Sequence, residues 1–195
     1  MKRRLPLLFV AVVAISLGAT RPAVREYDHK ANLLARLEYE HALKLMEEER
    51  YDDAIVQFRH YLDYYGDLYY GDEALFLMGK CFENLEQWNE AADAYDLMVK
   101  RYTPPFFPLR LILRRPTSPL IPEALYRAGR SLEEMRRYKE AANRYIRIIK
   151  GYFHTPFCKE AQERIKAIAK ELKDSKWAKK MEKKVEKLVK KMEKK

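Results

Sequence analysis

Tyr70–Tyr102 reads YGDEALFLMGKCFENLEQWNEAADAYDLMVKRY, and its spacing decides the fold. Leu75, Met78, Gly79 and Phe82 fall at i, i+3, i+4 and i+7, which puts one apolar stripe on a first helix. The acidic-polar corner Glu86-Gln87 follows, then a second helix carrying Trp88, Ala91, Ala92, Tyr95 and Val99. Gly79 and Ala91 are small where two helices must cross closely; Trp88 and Tyr95 are large where the gap must be filled. One such helix-turn-helix unit cannot bury its own apolar faces, so copies are needed on either side.

They are present. Upstream, Tyr51-Asp52-Asp53-Ala54-Ile55 aligns with Trp88-Asn89-Glu90-Ala91-Ala92, with Ala42 matching Gly79 and Phe58 matching Tyr95. Downstream, Tyr138-Lys139-Glu140-Ala141-Ala142 does the same, with Gly129 and Tyr145 in the matching places. The step from Ala54 to Ala91 is 37 residues and that from Ala91 to Ala141 is 50, one repeat and then one repeat plus an insertion. A further, partial unit starts at Thr155-Pro156 and supplies a helix through Glu160, Ala161, Ile165 and Ile168. The period and the small/large register resemble the tetratricopeptide (TPR) repeat. The expected fold is an all-α TPR solenoid over 31–168: three helix-turn-helix repeats, a partial fourth, and a basic C-terminal helix at 169–195. Ala31, Leu34, Ala35, Ala42 and Leu45 are expected to face the core, with Glu38 the charged break in their stripe.

Residues 1–19 read as a secretory signal: Lys2-Arg3-Arg4, then an apolar run from Leu5 to Leu17, then the small residues Gly18-Ala19. The run is short for a membrane span, so a cleaved signal is favoured over a retained anchor. Residues 20–30, polar and containing Pro22, are expected to form a tether. The net charge of +10 is lopsided, since Lys170–Lys195 holds 12 Lys against 5 acids. Within that segment Met181, Val185, Leu188 and Met192, with Trp177 ahead of them, are spaced as a coiled-coil seam rather than a buried face. Docking on the solenoid, docking on another protein, contact with an anionic membrane surface and a solvated, partly frayed charged tail all stay open for it. The tail lacks the arginines and interleaved aromatics of specific nucleic-acid readout, so nucleic acid is not an expected partner.

The insertion, 103–117, reads TPPFFPLRLILRRPT. Its four prolines exclude a continuous helix. Phe106, Phe107, Leu109, Leu111, Ile112 and Leu113 make it apolar, and Arg110, Arg114 and Arg115 make it basic. It is expected either to fold back over the repeats or to serve as a hook for a partner or membrane surface.

A TPR array turns one face of its first helices into a concave groove, and the resemblance places Tyr39, Phe76 and Tyr126 there in register. Leu43 and Met46 extend that strip, and Lys80, Arg130, Glu83 and Glu133 flank it. Two placements stay open for the rings: a strip that holds a segment of a protein partner, or packing on neighbouring helices.

No catalytic constellation emerges. There is no glycine-rich phosphate loop, and His29, His41, His60 and His154 are scattered without metal-binding spacing. Cys81 and Cys158 lie a whole repeat apart and read as small packing residues. The expectation is a non-enzyme without cofactors.

The linkers Ser118-Pro119-Leu120-Ile121-Pro122-Glu123-Ala124 and Thr155-Pro156-Phe157-Cys158-Lys159-Glu160-Ala161 offer Ser or Thr as a helix cap and Pro for the first turn. With the Tyr-rich helix ends, they resemble the bacterial envelope TPR families, BamD-like and YbgF-like (CpoB-like) periplasmic scaffolds. That resemblance implies a periplasmic, non-catalytic protein that binds envelope proteins in outer-membrane protein assembly or envelope coordination. The alternative it leaves is a permanent structural subunit of a larger envelope machine. The chain departs from BamD-like proteins in repeat number and in having Thr20 where a lipid-bearing Cys would stand. Its coiled-coil-like segment follows the repeats, whereas in YbgF-like proteins it precedes them.

Overall fold

The computed structural model describes residues 21–66, 70–103, 117–172 and 175–194, with side chains described from Ala31 onward. Among the described residues there are eight helices: α1 (Arg21–Glu47), α2 (Tyr51–Tyr65), α3 (Gly71–Asn84), α4 (Trp88–Tyr102), α5 (Ile121–Glu134), α6 (Tyr138–Gly151), α7 (Phe157–Glu171) and α8 (Ser175–Met192). Each packs on its neighbours in the chain, α1 on α2, α2 on α3, and so on to α8. The result is a solenoid of four helix pairs. The insertion does not interrupt it, because α4 packs on α5 as closely as partners within a repeat pack on each other.

The small/large register is what lets paired helices approach. A Cβ placed on Gly79 would sit 2.6 Å from Cε1 of Tyr95, and one on Gly129 would sit 2.5 Å from Cε1 of Tyr145. Both rings are fully buried, as are Ala42 and Phe58 at the matching places of the first repeat. Close-packed interiors leave no room for the extra methyl group.

The first helices of repeats 1 to 3 stop in the same way. Glu49, Glu86 and Arg136 adopt φ of 58°, 56° and 57°, and each lies five residues before the alanine of the second helix. Around Glu86, the Gln87 N–H donates to the Phe82 carbonyl (2.9 Å) and the Glu86 N–H to that of Glu83 (3.0 Å). This is the Schellman arrangement, here built on non-glycine residues. Neither linker hydroxyl caps a helix as expected. Ser118 Oγ accepts from the Leu120 N–H (3.2 Å), and Thr155 donates to the Tyr152 carbonyl (2.7 Å). Pro122 does occupy the first turn of α5.

Four expectations are corrected. Residues 21–30, expected to belong to a tether, are part of α1, which is helical from Arg21. Leu34 does not face the core but is 51% exposed, whereas Ala35, Ala42 and Leu45 are buried. The fourth repeat is not partial: α8 starts 37 residues after α6, puts Ala178 where the others have Ala54, Ala91 and Ala141, and packs on α7 and α6. Finally, the stripe Met181–Val185 is a buried face and not a free seam. Both residues are buried, Trp177 and Leu188 pack against the same core, and Met192 at the frayed end is half-exposed. The physical reason is that α7 alone cannot cover its apolar stripe. The expected signal (1–19) and the insertion residues Phe106, Phe107, Leu109, Arg110, Leu111, Ile112, Leu113, Arg114 and Arg115 lie outside the described residues.

Candidate functional site

Consecutive repeats are joined by a side-chain ladder that recurs in register. At the junction of repeats 2 and 3, Arg127 on α5 donates to Glu83 on α3 (2.8 Å) and to Glu123 on its own helix (2.9 Å), beside the Tyr95 ring. At the junction of repeats 3 and 4, Arg164 on α7 clasps Glu133 on α5 through one guanidinium edge, Nε (3.0 Å) and Nη2, and the Tyr145 hydroxyl donates to the same carboxylate (2.5 Å). At the first junction the same three places hold Met46, Phe58 and Leu77, all apolar and packed in the core. The whole triad is exchanged together, as expected where a buried ion left alone would be costly.

The electrostatics follow from burial. Burial raises the Glu83 carboxyl above its ordinary range, and Arg127 opposes the shift. Burial, then the hydrogen bond to Glu133, pushes the Tyr145 phenol up. The hydrogen bond to Glu133 holds the Arg164 guanidinium more firmly protonated still. Burial drives the Cys81 thiol up to about 12, so it is protonated and inert as a nucleophile. Both cysteines are free and buried. Among the described residues no three His, Cys, Asp or Glu side chains converge as a metal site, and no helix is long and apolar enough to cross a membrane.

The aromatic strip is largely consumed by these junctions. Tyr39 is 7% exposed, stacks on Tyr70 at 4.6 Å between centroids, and donates to Glu73 (3.0 Å). Phe76, also 7% exposed, lies against Tyr95 and under the Arg127 guanidinium. Leu43 and Met46 are partly buried against the core, and Lys80 is half-exposed. Of the two placements open for the rings, Tyr39 and Phe76 take the packing on neighbouring helices. Only Tyr126, packed between Tyr145 and Phe157, keeps an exposed edge.

That edge opens onto a cleft of about 360 Å³ above the second junction. Trp88, Tyr126 and Phe157 supply its aromatic walls; Glu83, Glu123, Glu134, Arg127, Arg130 and Ser131 supply its polar groups. Of the residues expected to hold a partner, Tyr126 and Arg130 meet here, together with the flanking Glu83. Arg130 approaches Glu134 at 3.6 Å, but its buried Nε has no hydrogen-bond partner within the described protein. Trp88, expected to fill the core, is half-exposed and lines this cleft instead. Glu123, Arg127 and Phe157 were not singled out by spacing. For Arg127 the one signal was its recurrence as Arg164 a repeat later, 37 residues on.

The tetratricopeptide repeat family matches residues 73–103 and 123–152. These are α3–α4 and α5–α6, the second and third helix pairs. Over those two segments the chain is similar to tetratricopeptide repeats. Repeats 1 and 4 join the series through the shared register of Ala54 and Ala178 and the continuous packing. No curated protein matches the chain. Tetratricopeptide arrays are protein-interaction scaffolds, so protein partners are the consequence.

Proposed function

We propose that this chain is a non-catalytic scaffold of the bacterial envelope, exported to the periplasm, that holds a segment of an envelope protein in the cleft between its second and third repeats. Its task on this reading is outer-membrane protein assembly or envelope coordination. One observation carries the placement: the half-exposed aromatics Trp88 and Tyr126 line a cleft with Arg130, whose buried Nε has no hydrogen-bond partner among the described residues. An unsatisfied buried donor beside aromatic walls suits a segment that brings a carbonyl or carboxylate acceptor and an apolar side chain. The charged n-region and apolar run of residues 1–19 support export. The exposed lysines of α8, among them Lys179, Lys183 and Lys187, support an added, salt-sensitive contact with an anionic membrane surface.

The test is affinity capture from native envelope, comparing the wild-type chain with Arg130→Ala and Trp88→Ala, alongside sequencing of the mature N-terminus. Capture of one envelope protein that both substitutions abolish supports the reading; capture indifferent to them removes the cleft from it, and a cytosolic chain removes the envelope role. The alternative, a subunit built permanently into a larger envelope machine, draws on the half-exposed Leu33, Leu34 and Leu37 at the start of the solenoid. It predicts a stoichiometric particle that survives the same substitutions.

A further inference from the structure

The two ends of the solenoid are unlike. Every first helix after α1 turns two residues against the preceding repeat: Gly71 and Ala74 on α3, Ile121 and Ala124 on α5, Cys158 and Ala161 on α7, all of them buried. The same two places on α1 are Leu34 and Leu37, which are 51% and 52% exposed. Among the described residues, the first repeat thus presents a repeat-junction face with apolar side chains that no described helix covers.

The other end offers the complementary surface. The internal junctions use two pairs of places for polar contact, one at the first junction and the other at the second and third. Tyr39 meets Glu73 (3.0 Å), Glu83 meets Arg127 (2.8 Å), and Glu133 meets Arg164. On the free face of repeat 4, Glu163 stands at Tyr39's place and Lys170 at that of Glu83 and Glu133. On α1, Arg36 stands at Glu73's place and Glu40 at that of Arg127 and Arg164. All four are exposed. Stacked as the internal repeats stack, the end of one molecule would set Glu163 against Arg36 and Lys170 against Glu40 of the next, both pairs of opposite charge. Room for the larger leucines exists as well. The Gly–Tyr pair of repeats 2 and 3 is Lys166 and Glu182 in repeat 4, and a cleft of about 430 Å³ beside Ile165, Val185 and Val189 opens there.

From this continuity of the repeat junction and the paired charges, we propose that the chain stacks head to tail on a second copy of itself, α1 of one molecule continuing the array after α7–α8 of another. The contact is heterologous and does not close on itself, so it builds short filaments whose length rises with concentration. Exposed charges set its partner choice.

The experiment uses the full chain in sedimentation analysis across a concentration series, with circular dichroism confirming that each variant is folded. The wild-type chain should form a ladder of oligomers. Arg36→Glu with Glu40→Lys in one chain, or Glu163→Arg with Lys170→Glu in another, should each weaken association by more than about tenfold. Mixing the two variants should restore it, because each reversed face then meets its reversed partner. A chain that stays monomeric throughout, association that ignores the reversals, or a mixture that does not recover would each overturn the proposal.

Discussion

Replacing Gly129 by Ala tests the packing on which every repeat depends. The added Cβ would lie 2.5 Å from Cε1 and 2.6 Å from Cζ of Tyr145. Comfortable carbon–carbon contact begins near about 3.5 Å, so ring or helix must yield by about 1 Å. The ring has little freedom to do so. It is fully buried, its hydroxyl is held by Glu133, and Glu133 is in turn held by Arg164 of the next repeat. Overpacking of this kind costs up to about 3 kcal/mol. The gain in helix propensity from Gly to Ala returns about 1 kcal/mol, leaving a net loss of about 2 kcal/mol. For a chain of this size that lowers Tm by about 4–8 °C. Thermal and urea unfolding followed by circular dichroism would measure it. Gly151→Ala is the control, since nothing lies within 4 Å of the added Cβ; it should be neutral or slightly stabilising. If Gly129→Ala matched that control, the close helix approach deduced from the Gly–Tyr register would be wrong.

Glu86→Gly should stabilise the chain by about 0.5–1 kcal/mol, because glycine adopts the observed positive φ without a Cβ penalty; a rise in the urea midpoint checks it. Met181→Ala should cost about 2 kcal/mol, since Met181 is buried in the solenoid; a helix that hung free would leave the unfolding midpoint unchanged. The raised carboxyl of Glu83 carries a sign: its contribution is full below the ordinary value of 4.5 and is lost as pH rises through the higher folded value. Glu83→Gln should therefore flatten that part of the stability–pH curve, and an unchanged curve would contradict the burial argument. Cys81, with its thiol pushed up to about 12 by burial, should resist a thiol reagent at mildly alkaline pH until urea unfolds the chain.

Reading the repeats from sequence succeeded where one helix pair meets itself. Gly79 with Tyr95, Gly129 with Tyr145, and the alanines at 54, 91 and 141 recur at fixed spacing because each must fit the same crossing. The second helix of repeat 4 was illegible for a physical reason. Lys179 and Glu182 stand where Ala142 and Tyr145 stood, so only Ala178 and the stripe Met181–Val185 survived within a lysine-rich run that reads as solvated. The cleft was half legible. Tyr126 and Arg130 lie on the helix face that the repeat register indicates, but Arg127 and Glu83 meet only across a junction, a pairing that no spacing within one repeat reveals. Tyr39 and Phe76 sit on that same face, yet the following repeat covers them.

The central claim is that the cleft between repeats 2 and 3 holds a protein segment. A photo-crosslinking residue placed in turn at Trp88, Tyr126 and Val56, in cells that make the protein, tests it most directly. Val56, 65% exposed and remote from the cleft in the repeat register, is the surface control. The account predicts one discrete adduct shared by the first two positions, weakened by Arg130→Ala, and none from Val56. Equal labelling from all three positions, or adducts from Val56 alone, would contradict it.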